Sequence, residues 1–315
     1  MVNNLNLFGS KSKVISFLVF LVAIFFYLAL LWSYKEKVPN INVNVLTISL
    51  LALTILLSAF MVVLGGVIWL LLLRDHDFSV TPTLVIGLFL ISQFGKYLPG
   101  NIGQYVGRVL LAQRAGIAIP VTLNTMIVEM MWGVASGSGL ALLSIYFFID
   151  ANDPGIGLIP GKFELFLFVI LLLALPWLGI HFVNSYIPNL AKWLTKNDLI
   201  PLPKVSTAII VSTLCFTSFF IMGLILKIQA QFFFGITEGS VFELTCLFAI
   251  AWLAGYLAPG APAGLGVREA MMVLLLSPVL GSGAAVGLGV TLRLTTTVGD
   301  SLAFALGVLV RKFAT

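Results

Sequence analysis

The sequence predicts an all-α polytopic membrane protein with about six full spans and two Pro-Gly-broken re-entrant hairpins, arranged as an inverted-topology repeat. Three observations lead there: the composition, the lengths of the apolar runs, and a motif that occurs twice. Of 315 residues, 60% are apolar and 9% charged, against about 45–50% and about 25% in soluble domains. Mean hydropathy is +1.12. The 17 basic and 12 acidic side chains are too few to cover a water-facing surface. A soluble enzyme, a nucleic-acid binder and a disordered chain are thereby excluded. The net charge of +5 then bears on sidedness and anionic lipid, with no nucleic-acid partner implied.

A spanning helix needs about 20 mostly apolar residues. Runs of that kind occur at Val14–Tyr34, Val45–Leu73, Pro120–Ile149, Phe163–Val183, Ser206–Phe234 and Ala284–Val310. The first follows Lys11 and Lys13, as a signal peptide would, but is too long for one and ends at Trp32, Tyr34 and Lys35 without a cleavage site. It is expected to be a retained anchor. Two further apolar stretches, Pro82–Leu98 with Gly103–Leu111 and Val241–Ala258 with Gly264–Leu280, are interrupted by Pro and Gly. Lys11, Lys13, Arg74, Arg114, Lys192, Lys196, Lys204, Arg311 and Lys312 fall on one side, and Lys35, Lys37 and Lys162 on the other. The positive-inside rule makes the first side cytoplasmic, with both termini there, in a plasma membrane. Lys227, beside Gln229 and Gln231 near a helix end, is expected to snorkel.

The two interrupted stretches align without gaps at a spacing of 160 positions: Gly95 on Gly255, Pro99 on Pro259, Gly100 on Gly260 and Arg108 on Arg268. Three spans separate them, so the second enters from the opposite face. That parity belongs to inverted repeats, here 1–155 and 156–315, within one membrane domain. A Pro-Gly pair ends one helix because Pro lacks a donor and Gly takes conformations other residues avoid. The next half-helix starts at depth with free N–H groups and a positive dipole end, a natural site for an anion.

Lys96, Arg108, Glu129, Arg268, Glu269, Arg293 and Asp300 are the expected intramembrane charges. Each costs at least about 2.5–3.5 kcal/mol at the midplane on insertion scales, so such residues face a cavity and mark function. The candidate substrate-binding set is Lys96, Tyr97, Pro99, Gly100, Asn101, Gln104 and Arg108 in the first half, with Glu129 on the following span. In the second half it is Pro259, Gly260, Gly264, Gly266, Arg268 and Glu269, with Arg293 on the last span. A guanidinium fork suits a lipid phosphate. The competing reading is internal salt bridging, Arg108 or Arg268 with Glu129 or Asp300, and Asp300 is expected to be such a structural partner. Thr122, Thr125 and Ser136 share a helical stripe with Glu129, and Thr297 shares one with Arg293 and Asp300; the hydroxyls read as interhelical glue.

Neither a cofactor nor a metal is expected. His76 and His181 lie in no ligand-spaced motif, and Gly264-Leu265-Gly266 lacks the setting of a dinucleotide fingerprint. Cys215 and Cys246 sit in apolar runs and read as small hydrophobes.

Gly95-Lys-Tyr-Leu-Pro-Gly100 and Pro259-Gly-Ala-Pro-Ala-Gly-Leu-Gly-Val-Arg-Glu-Ala270 resemble the two signatures of the lysylphosphatidylglycerol synthase transmembrane-region family. This is the flippase-like module of the multiple peptide resistance factor proteins, and the similarity covers essentially the whole chain. Glu129 and Arg293 fall where the family carries an acidic residue and a Leu-flanked Arg. The resemblance implies translocation of an aminoacylated or otherwise modified phospholipid, or of a polyprenyl lipid, between leaflets. It also implies association with a lipid- or glycan-synthesising enzyme. It does not extend to the soluble aminoacyl-transferase domain, so no enzyme activity is expected. The usual Pro-Gly-Gly of the second signature is Pro259-Gly260-Ala261 here, and Met130 follows Glu129 where Arg is commoner.

Two other functions fit the membrane setting. A polyprenyl-phosphate-dependent transferase needs external acids, but the first outer loop offers only Glu36, and Asp150 and Asp153 sit in a turn-like Asn-Asp-Pro-Gly. A scaffold for a cell-envelope synthase would dock its partner through the basic loop at Lys192–Lys204. With no nucleotide-binding motif, transport would be passive or driven by an ion gradient, and Glu129 is the candidate for proton coupling.

Overall fold

The computed structural model of the chain describes residues 32, 44–76, 80–97, 102–148, 162–195, 200–258 and 262–314. These are helical throughout, with no strand among them. The expected first span lies outside them apart from Trp32, as do Pro99, Gly100, Asn101, Pro259 and Gly260. Five helices are long and apolar enough to cross a membrane, with windows at Val45–Arg74, Ile119–Ser144, Leu167–Tyr186, Val205–Phe233 and Ser282–Arg311. Large apolar side chains such as Leu56, Phe60, Phe182, Leu294 and Leu309 are exposed on them, as lipid contact requires and water would not permit. The chain is an integral membrane protein.

Helix α1 (Val45–Arg74) starts with a capping box: Asn44 Oδ1 accepts the Thr47 N–H at 2.8 Å, and Thr47 Oγ1 accepts the Asn44 N–H at 2.8 Å. Helix α2 (Pro82–Gln93) has Pro at its first position and ends in a 3-10 turn, Phe94–Tyr97. Helix α3 (Gly103–Arg114) then packs back on α2. Helices α4 (Ile119–Phe148), α5 (Lys162–Tyr186) and α6 (Pro188–Thr195) follow. In the second half, α7 (Val205–Phe233) leads to α8 (Val241–Leu257), whose N-cap Ser240 forms a capping box with Glu243. A 3-10 turn (Pro262–Gly264) precedes α9 (Val267–Leu280), which packs back on α8, and α10 (Ser282–Ala314) closes the fold. Both interrupted stretches are therefore helical hairpins.

The order of ends follows from one contact. Asp75, just after α1, accepts the Lys204 N–H at 2.9 Å and the Thr207 hydroxyl at 3.0 Å, capping α7 from outside its own segment. The end of α1 and the start of α7 thus lie together. The tips of the two hairpins touch, the Phe94–Tyr97 turn against the Pro262–Gly264 turn.

Small residues let the backbones approach, as expected where lipid supplies no hydrophobic drive between helices. A methyl on Gly223 would meet the Val241 carbonyl oxygen at 2.7 Å, and one on Gly299 would meet Ser58 Oγ at 2.7 Å. One apolar core joins α7, α8, α9 and α10 around Leu226, Phe248 and Leu288; another joins α1, α2 and α3 around Trp69, Leu88 and Phe89.

Candidate functional site

Where the hairpin tips meet, residues of the two 3-10 turns and of α1, α2, α3, α4, α7, α8, α9 and α10 line a cavity of about 280 Å³. Of the residues expected from sequence, Lys96, Tyr97, Gln104, Arg108, Glu129, Gly264, Arg268, Arg293 and Asp300 line it. Gly266 and Glu269 stand behind its wall. Their contacts explain why: the Glu269 carboxylate turns back to accept the Gly266 N–H at 2.7 Å, closing the first turn of α9. Ala263, Gly264 and Gly266 all have positive φ, so this tip is a left-handed turn that carries Arg268 at the start of the returning arm.

The charges form three pairs. Lys96 Nζ lies 2.8 and 2.7 Å from the two Asp300 oxygens, and the Tyr97 hydroxyl donates to Asp300 Oδ2 at 2.5 Å. This links the first hairpin tip to α10. Arg108 Nη1 donates to Glu129 Oε2 at 2.5 Å, joining α3 to α4. Arg293 Nη1 donates to the Ala263 carbonyl at 3.1 Å and lies 3.5 Å from Glu269 Oε1, joining α10 to the second tip. Asp300 thus pairs with Lys96 and not with either of the two aligned arginines. Among the described residues Arg268 is left without an ion pair. Four basic and three acidic groups leave the site with one positive charge in excess.

Two atoms in the site lack partners. The Nε–H groups of Arg108 and Arg268, at aligned positions of the two hairpins, are buried without an acceptor. Buried donors of this kind cost about 1–3 kcal/mol and more when charged, so each calls for an acceptor from a ligand or solvent. Arg108 is fixed by its surroundings, its guanidinium carbon 4.2 Å from the Phe89 ring centre and 5.3 Å from that of Trp69. Trp69 in turn donates from Nε1 to Thr125 Oγ1 at 3.0 Å, so the hydroxyl stripe beside Glu129 holds the ring that holds the arginine.

An aromatic side of the site went unread in the sequence. Tyr105 and Tyr256 bring their hydroxyls within 3.1 Å, bridging α3 and α8, and Tyr256 stacks on Trp252 at 4.7 Å. Tyr256 had a signal, since it stands 160 positions after Lys96. Tyr105 precedes Arg108 by three residues and so shares its helix face. The arrangement can hold an anion on fixed cations, beside an aromatic wall, within the membrane.

Residues 13–303 match the family described as Lysylphosphatidylglycerol synthase TM region. No curated protein and no solved structure matches the chain.

Proposed function

Because the chain belongs to the lysylphosphatidylglycerol synthase transmembrane-region family, we propose that it is a flippase-like transporter of an anionic lipid. An aminoacylated or glycosylated phospholipid, or a polyprenyl lipid, would pass between leaflets with its phosphate in the cavity and its acyl chains in the bilayer. The observation that carries this reading is Arg268 without an ion pair, its Nε–H and that of Arg108 both orphaned, where the hairpin tips meet. A charge left unpaired at such depth is expensive unless it serves a ligand.

The route follows from topology. Residues 1–155 and 156–315 act as two inverted halves, each holding one re-entrant hairpin, in the plasma membrane with both termini cytoplasmic. The return of α3 on α2 and of α9 on α8 supports this, as does the capping of α7 beside the end of α1. Rocking of one half against the other exposes the same site to each leaflet in turn. A lipid- or glycan-synthesising enzyme would be the source of the lipid.

The test is leaflet exchange of fluorescent phosphatidylglycerol in proteoliposomes. The wild type is expected to exchange lipid faster than protein-free vesicles. Arg268→Ala should slow exchange roughly tenfold or more, since hydrogen bonds to charged groups contribute about 1.5–3 kcal/mol. Exchange unchanged in both Arg108→Ala and Arg268→Ala would remove the phosphate site.

A further inference from the structure

We propose that an anion held at Arg108 is accompanied by one proton on Glu129, so that the cavity binds the two together. This rests on the anion-site reading above and adds the linkage.

The geometry begins with exposure. The Arg108 side chain is 1% exposed and that of Glu129 22%. Rings cover the guanidinium, and Glu129 is the more exposed member of the pair at the cavity. An anion therefore meets the carboxylate first. One Glu129 oxygen serves one guanidinium nitrogen, and the buried Nε–H is left with nothing. A phosphate carries several oxygens in a fan and matches the guanidinium fork better. Taking Arg108 means displacing Glu129.

A displaced Glu129 gains no second cation, because Arg268, among the described residues the one cation of the cavity without an ion pair, is the other arm of the anion site and is taken by the anion itself. On α3 it faces Tyr105, on α8 Tyr256 and on α7 Cys215, all neutral as hydroxyl or thiol. Helix α1 brings Met61, Val62, Gly65 and Ile68 to the cavity, and none of the lining residues comes from α5 or α6. Lys96 and Arg293 are held by Asp300 and Glu269, and Arg268 lies among those groups. An ionised carboxylate stranded in a low-dielectric site takes a proton instead of keeping its charge. The proton comes from water, rests on the Glu129 carboxyl, and leaves when the anion departs and Arg108 pairs again. The anion-bound state thus holds one proton more than the empty state, so affinity rises as pH falls. A proton gradient would then bias the direction in which the anion moves.

Calorimetry on the whole protein in phosphatidylcholine nanodiscs reads this directly. Dioctanoyl phosphatidylglycerol and water-soluble glycerophosphoglycerol, both phosphodiesters that keep a single charge over this pH range, are the two probes, each titrated in two buffers of different ionisation enthalpy. The wild type is expected to take up one proton per anion bound, and to bind on the order of tenfold or more tightly at about pH 6 than at about pH 8. Glu129→Gln should take up none and bind equally at both. Uptake with phosphatidylglycerol alone identifies a lipid as the ligand, whereas equal uptake with glycerophosphoglycerol supports the linkage with a free phosphodiester anion. Binding by the wild type without proton uptake overturns the linkage and leaves the anion site standing. Absence of binding by either probe overturns the anion site itself. The wild-type proton count decides the matter even if Glu129→Gln fails to fold.

Discussion

Between α3 and α4, a single contact of 2.5 Å joins Arg108 to Glu129, with the arginine buried under Phe89 and Trp69. Removing one partner of such a pair leaves the other charge uncompensated, which costs about 3–5 kcal/mol, whereas replacing both by apolar groups of similar volume is close to neutral. Glu129→Ala is therefore expected to destabilise the protein by about 3 kcal/mol, the low end because the carboxylate faces the cavity. The double change Arg108→Met with Glu129→Leu should recover most of that loss. Denaturant titration in mild detergent checks both. The seven charges of the two interrupted stretches and their neighbouring spans stood out in the sequence because charge is rare in apolar runs. Their partners did not, since pairing depends on which helices meet: Asp300 found Lys96, 204 positions away. Lys227 shows the same limit. Its ammonium donates to the Thr237 and Glu238 carbonyls and caps the loop after α7. Gln229, two positions on, is fully buried between Thr291 and Thr295.

Helix limits were legible to within a few residues, because apolar length and capping side chains act locally. Val45–Leu73 became Val45–Arg74, and Ser206–Phe234 became Val205–Phe233. The breaks were legible for the same reason, but the turn geometry at their tips was not. The basic loop at Lys192–Lys204 overlaps the short helix α6, and Asn184, near the end of α5, clamps Ile200 through both its amide oxygen and nitrogen. The aligned glycines now have a physical reason. A methyl on Gly95 would lie 2.6 Å from the Gly103 carbonyl carbon, and one on Gly255 would lie 3.0 Å from the Arg268 Cβ. The first meets backbone far inside contact distance, whereas the second meets the Arg268 Cβ and, at 3.3 Å, the Gly264 Cα with only a few tenths of an ångström to give. Gly95→Ala is expected to prevent α3 from closing on α2, lowering the unfolding midpoint well beyond Gly255→Ala; thermal unfolding in detergent compares them. A larger loss in Gly255→Ala would contradict the close approach at Gly95.

Across the whole molecule, the Phe94–Tyr97 turn and the Pro262–Gly264 turn meet beside one cavity. Composition made the membrane class readable from the chain. The meeting of the tips was not readable, because it depends on long-range packing of α10 against α1 and α2 and of α7 against α8. That meeting turns two separate breaks into a single positive site, with Arg108 and Arg268 on the same walls. Mass spectrometry of lipid that co-purifies with the protein tests this arrangement most directly. The wild type is expected to retain one class of phosphate-bearing lipid through purification, and the Arg108→Ala, Arg268→Ala double variant, folded by the same thermal criterion, is expected to lose it. The same lipid retained in equal amount by the double variant would contradict a phosphate site at the meeting of the hairpins.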